Sequence, residues 1–150
     1  MPRTEWARNL EIREARTDDE LAAALELRER VFAGEQGVSI EADRDGRDRE
    51  ATHLVALEGG RVIGTCRLLF QGRVARLGRL AVEPQERGRG VAGAILRAAD
   101  HAARDGDAYA ISLHAQTYAK SLYERAGYAA RGTIFMEEGI EHVAMEKQLA

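Results

Sequence analysis

The chain has 150 residues, the length of one ordinary domain, and can bury a core without disulfide or metal staples. It carries 22 basic and 25 acidic residues, a net charge of −3, and 5% aromatics; this argues against a general nucleic-acid binder or a base-stacking surface. Cys66 is the only cysteine, no 18-residue apolar run exists and residues 1–8 do not read as a signal peptide, so a cytoplasmic protein with no membrane partner is expected.

Leu10 to Ala15 alternates apolar and charged residues and reads as a strand. Thr17 with Glu20 forms a capping box, and Leu21, Leu25, Arg28 and Phe32 share one face of a helix over about 18–32, broken by Gly34 and Gly37. Residues 41–50 are nearly all polar and read as a solvated loop. Strands over 53–57, 62–70 and 74–82, joined at Glu-Gly-Gly and Gln-Gly turns, predict an antiparallel meander ended by Pro84. A helix from Val91 to about Arg104, a strand over 109–114, a short helix over 118–125 and strands over 128–134 and 142–147 complete the chain. The order β-α-βββ-α-β-α-β-β predicts an α+β fold with a mixed sheet in one domain spanning 1–150, with 1–9 loosely ordered.

Only Lys120 and Lys147 are lysines; the other twenty basic residues are arginines. Five of these fall in 76–97 against Glu83 and Glu86, the one stretch where charge departs from the chain's average. There a strand runs through Arg87-Gly-Arg-Gly90 directly into a helix. A helix start leaves about four amide N–H groups without internal partners at the positive end of the dipole. Gly88 and Gly90 let a diphosphate approach those amides at Val91 and Ala92, and Arg87 and Arg89 add cationic donors. The spacing is neither a Walker A loop nor a dinucleotide fingerprint.

Arg87-Gly-Arg-Gly-Val-Ala92 resembles the acetyl-CoA pyrophosphate loop, Gln/Arg-x-x-Gly-x-Gly/Ala, of the GNAT superfamily of N-acetyltransferases. Gln116 to Tyr128 resembles that superfamily's second signature, with Gln116 in place of the usual Asn and Leu122 before Tyr123. Val31 to Val38, Leu113 to Gln116 and Gly139 to Met145 look like the ElaA/YjcF-like branch.

The resemblance implies a GNAT fold and direct transfer of an acetyl group from acetyl-CoA to a primary amine of a small molecule or peptide. It implies that the backbones of Leu80, Ala81 and Val82 hold the pantetheine arm, that Gln116 lies on the cofactor side, and that Tyr123 touches the cofactor and is the general acid. A phenol with a pKa of about 10 is protonated at neutral pH and can give its proton to a thiolate. For the base, His114 at the end of its strand is the first choice, since imidazole titrates near neutrality. Glu83, acting through a water, and His142 compete with it. Substrate contacts are expected from Glu35, Gln36 and His142, with the acidic residues of 41–48 and Glu137, Glu138 and Glu141 as a rim for a cationic amine. Arg67, Arg76 and Arg79 read as solvent-face sheet residues, His53 as structural and Cys66 as a small buried residue. The four histidines lack ligand spacing, so no metal is expected. A CoA-binding sensor without transferase activity and an acyl-homoserine-lactone-synthase-like enzyme are the alternatives, and a homodimer is left open.

Overall fold

In the computed structural model, which describes residues 10–149, the alternation of Leu10 to Glu14 is resolved as an edge strand, β1 (Leu10–Glu14). Residues 1–9, expected to be loosely ordered, lie outside the described residues. The capping box forms: Thr17 Oγ1 accepts from the Glu20 amide at 3.0 Å, opening α1 (Asp18–Arg28). The Glu20 carboxylate reaches back to the Arg16 amide at 2.8 Å and takes a two-pronged bond from Arg13 at 2.8 and 2.7 Å.

The helix does not stop at 32. It widens into a π-helical run over Glu29–Glu35 that passes through Gly34. Glycine costs a helix only about 1 kcal/mol, and Leu27 and Val31 are anchored on Ala81. The chain turns at Gly37, whose φ is +72°.

Residues 41–50 depart from the expected solvated loop. Ser39 caps a single turn, α2 (Ile40–Asp43), and a 3-10 turn covers Asp48–Glu50. Asp43, Asp45 and Asp48 then turn inward onto arginines. Arg28, 1% exposed, bonds Asp48 Oδ1 at 2.8 Å, the Asp43 carbonyl at 2.9 Å and Asp43 Oδ2 at 3.2 Å. Arg67, 4% exposed, holds Asp45 at 2.5 and 2.9 Å and Asp48 at 3.0 Å. Arg67 is therefore an interior residue; periodicity placed it correctly on one sheet face but could not see that the 40–50 segment covers that face. His53 is buried beside this network, with Nε2 2.9 Å from the Asp48 carbonyl oxygen.

The meander forms as β2 (Thr52–Glu58), β3 (Arg61–Gln71) and β4 (Val74–Val82). Helix α3 (Val91–Asp105), β5 (Ala110–Gln116), α4 (Lys120–Arg125), β6 (Ala129–Glu137) and β7 (Ile140–Gln148) follow. The seven-stranded sheet has the order β1-β2-β3-β4-β5-β7-β6 and is antiparallel except where β4 meets β5. The predicted mixed α+β sheet is thus borne out. Leu54, Ala56, Leu68, Ile111 and Met145 face α3 in the main core, whereas Val55 and Leu57 face α1. Gly64 of β3 lets α3 come close, since a Cβ there would meet Ile95 Cδ1 at 2.7 Å.

Candidate active site

Two irregularities open the centre of the sheet. Parallel pairing of β4 with β5 lasts only from Val74↔Ala110 to Arg76↔Ser112, after which no ladder joins them. Beyond that point β4 pairs only with β3, and β5 only with β7. Each strand therefore presents a backbone edge of N–H and C=O groups to the wedge between them.

The second irregularity is a bulge in β4. Thr65 pairs with Ala81 but Arg67 pairs with Gly78, so β4 carries one extra residue, and Arg79 sits at φ +56°. A left-handed non-glycine residue costs about 1–2 kcal/mol and needs outside support. Arg79 has it: its guanidinium donates to the carbonyls of Ala42 and Asp43 at 3.1 Å and pairs with Asp43 and Asp45. The bulge inverts the alternation of the strand. Ala75 and Leu77 face α3 before it; Leu80 and Val82 face α3 after it, and Ala81 turns to α1. Arg79 is thus a brace for the bulge, not the solvent-face residue that simple alternation predicts.

A cavity of about 770 Å³ fills the wedge, within the usual range for ligand sites. Among the predicted cofactor residues, Leu80, Ala81, Val82, Arg87, Ala92, Gln116 and Tyr123 line it. Gly88, Arg89, Gly90 and Val91 do not line it but form the turn at its end, where the 3-10 turn Pro84–Glu86 leads from β4 into α3. Gly88 and Gly90 have φ of +81° and +84°, and a Cβ on either would meet no protein atom within 4 Å. The glycines thus serve the backbone conformation as well as leaving open space over the helix start. Val91 is a core residue, 2% exposed. Arg89 is engaged with Glu58 at 2.6 Å and with Glu86. Arg87 donates to the Val82 carbonyl at 3.1 Å and makes a two-pronged pair with Glu35 at 3.0 Å.

Glu35 and Gln36 both line the cavity. Gln36 accepts from Gln116 Nε2 at 2.7 Å and donates to the Tyr118 hydroxyl at 3.2 Å. The end of the π-helical run therefore spans the cavity, from the turn at Arg87 to the end of β5.

Tyr123 of α4 is 8% exposed, and its hydroxyl has no hydrogen-bond partner among the described residues. Burial pushes the phenol well above its ordinary value, so it stays protonated at any physiological pH. Its ring meets Tyr128 edge-on at 5.9 Å. Cys66 is buried and its thiol is pushed up to about 12 by desolvation, which leaves it unreactive.

His114 reaches the cavity on the sheet face opposite α3. Its Nδ1 lies 2.9 Å from Glu137 Oε1 and its Nε2 lies 3.4 Å from Arg76 Nη2. A carboxylate accepts and a guanidinium donates, so of the two neutral tautomers these partners match the one with the proton on Nδ1 and the lone pair on Nε2. His142, 6% exposed, stacks on Phe135 with ring centroids 6.0 Å apart and places Nε2 3.7 Å from the other oxygen of Glu137. Glu137, read from sequence as rim charge without a basic partner, instead joins two histidines. The signal for this was the Glu138-Gly139 pair, both at positive φ (+52° and +73°), a two-residue hairpin turn that lengthens β6 to Glu137. Glu83 is not brought to the cavity: its carboxylate is taken by Arg30 of the π-helical run. Among the described residues no group of three or more His, Cys, Asp or Glu could hold a metal ion.

The comparisons with known proteins agree with this geometry. The family model described as the acetyltransferase (GNAT) domain matches residues 15–149. The chain belongs to the GNAT acetyltransferase family. An uncharacterized N-acetyltransferase of Bacillus subtilis, YjcF, is 34% identical over 134 residues, covering 89% of this chain and 96% of its own. An acyl-CoA N-acyltransferase structure from Pseudomonas aeruginosa superposes with a TM-score of 0.79 at 27% identity, covering 92% of this chain and 98% of that one. Escherichia coli ElaA shares the fold with a TM-score of 0.83 at 21% identity over 93% and 99% of the two chains. The chain is thus a GNAT-type acyltransferase, as the two signatures predicted, of the ElaA/YjcF-like branch that the segments 31–38, 113–116 and 139–145 resemble.

Proposed function

We propose that this GNAT enzyme transfers the acetyl group of acetyl-CoA to a primary amine by direct transfer, with His114 as the base and Tyr123 as the acid. The observation that carries the reading is the wedge itself. Its unpaired strand edges match the successive amides of a pantetheine arm, and the wedge ends at a glycine turn whose helix amides face open space. Leu80, Ala81 and Val82 would hold the arm through their backbones. Arg87 and the amides at Val91 and Ala92 would hold the diphosphate. The Arg87–Glu35 pair is exposed, and such pairs are worth about 0–1 kcal/mol, so phosphate can replace it at little cost.

When bound, acetyl-CoA supplies the acyl group as an activated thioester. His114 Nε2 takes a proton from the acceptor amine, and Glu137 stabilises the imidazolium that forms on the other ring nitrogen. Backbone N–H groups at the β4 bulge favour negative charge on an acyl oxygen. Tyr123 Oη gives its proton to the departing sulfur. Glu83 has no part in this scheme because Arg30 holds it outside the cavity. The single cysteine, buried and protonated, suits a cytoplasmic setting.

Free-thiol release from acetyl-CoA over a panel of primary amines tests the reading. Turnover is expected with at least one amine, and Tyr123→Phe should lower kcat about 100-fold or more where chemistry limits the rate. Tight acetyl-CoA binding with no turnover on any amine would leave a CoA-binding sensor instead.

A further inference from the structure

We infer that the acceptor is a free α-amino acid whose carboxylate is held by Arg76, a conclusion that rests on the transferase reading above and names its substrate class. Five arginines line the cavity: Arg47, Arg67, Arg76, Arg79 and Arg87. Four are matched by carboxylates. Arg47 pairs with Glu50 at 3.0 Å, Arg67 with Asp45 and Asp48, Arg79 with Asp43 and Asp45, and Arg87 with Glu35. Arg76 pairs with no carboxylate among the described residues, although it is half-buried on the wall of the wedge. Its guanidinium lies instead 3.4 Å from His114 Nε2, the nitrogen that carries the lone pair.

A half-buried guanidinium beside a base, with no anion of its own, is suited to an anion brought by the substrate. The spacing then limits where that anion sits. In an α-amino acid the amine nitrogen and the nearer carboxylate oxygen are about 2.7 Å apart, a hydrogen-bond length. A carboxylate oxygen that takes the Arg76 Nη2 hydrogen frees the His114 Nε2 lone pair for the amine, and the four atoms close a four-sided figure whose fourth side is the 3.4 Å separation. A longer amino acid, with its charges several carbons apart, does not close it without folding back. The remaining cavity charges agree. Glu137 is occupied by the two histidines, and Glu138, on the hairpin turn, has no partner among the described residues. An unmatched cation for the carboxylate, together with Glu137 and Glu138 among the cavity's acidic residues, suits a zwitterion.

The test is calorimetric binding of α-amino acids, each compared with its decarboxylated amine and its amide, to the wild-type protein alone and with CoA. At least one amino acid should bind roughly 10- to 100-fold more tightly than both of its counterparts, the effect of a charge-assisted bond. Arg76→Ala should bring that ratio close to one, and Arg76→Lys should retain most of it. Arg76→Gln, similar in bulk without the charge, serves if the alanine variant does not fold, as judged by circular dichroism. Amino acids that bind no better than their amines, or a preference that survives loss of the Arg76 charge, would overturn the inference. Thiol release is scored separately. Turnover of amines without carboxylate preference sinks only this inference; carboxylate-dependent binding without turnover sinks only the transferase reading.

Discussion

Gly90 separates a backbone cost from a ligand cost. It sits at φ +84° before the first residue of α3, and a Cβ there meets no protein atom within 4 Å. Gly90→Ala therefore costs the fold only the left-handed strain, about 1–2 kcal/mol, or a melting shift of roughly 2–8 °C for a chain of this size. Gly72, at φ +61° in the β3–β4 turn and also in open space, gives the same strain away from the cavity. Gly90→Glu adds a carboxylate over the helix start. At about 5 Å from one phosphate charge its repulsion is about 1 kcal/mol in bulk water and about 3 kcal/mol at an effective dielectric of 20. Acetyl-CoA affinity should then fall roughly 5- to 200-fold in Gly90→Glu and hold in Gly72→Glu, while both melt at similar temperatures. Calorimetric titration with acetyl-CoA and a thermal scan read the two quantities. Unchanged affinity in Gly90→Glu refutes the assignment of the diphosphate to this turn. Equal losses in the two variants would mean that strain alone is being measured.

The buried network predicts two further outcomes. Arg28→Met leaves Asp43 with only Arg79 as a charged partner, so the loss should lie near the lower end of the range for broken buried pairs, about 3 kcal/mol; a melting temperature within about 2 °C of wild type would contradict the assigned role. On acidification, the Arg13 guanidinium holds the Glu20 carboxyl down at about 2, and Arg67 holds Asp45 low. Burial alone would raise Asp48, but its bonds to Arg28 and Arg67 outweigh that and keep it low. Carboxyls depressed on folding stabilise the protein above their unfolded values of about 4 and lose that contribution as pH falls through the folded ones. Thermal stability should therefore be level above about pH 5 and fall between about pH 4 and 2, and a midpoint that stays level down to pH 2 would contradict this.

Local chemistry in the chain was sufficient for the strands and the longer helices, but not for the π-helical run or the turns within 40–50. The β4 range 74–82, the Thr17 cap and the start of α3 at Val91 follow from alternation, capping residues and a glycine turn, all of which act within a few residues. The same locality made the glycine turn proposed for the diphosphate legible, because the amides that could face a diphosphate belong to the residues that spell the motif. The acidic stretch 41–50 and the twenty arginines could not be resolved in that way. Whether a charge is solvated or buried depends on what lies over it, and Asp43, Asp45 and Asp48 meet Arg28, Arg67 and Arg79 from four different segments.

The sequence by itself thus determined the strands, the helices, the family signatures and the turn at Arg87 to Gly90. Only the tertiary structure decided which side chains gather at the His114 end of the cavity. The bulge at Arg79, the end of β4–β5 pairing after Arg76 and the grouping of Arg76, His114, Glu137 and His142 depend on four strands, β4 to β7, being brought together. Side chains 38 and 23 residues from His114 become its neighbours there. No pattern within a few residues of chain encodes such a contact; it arises when strands distant in sequence are brought side by side in the sheet.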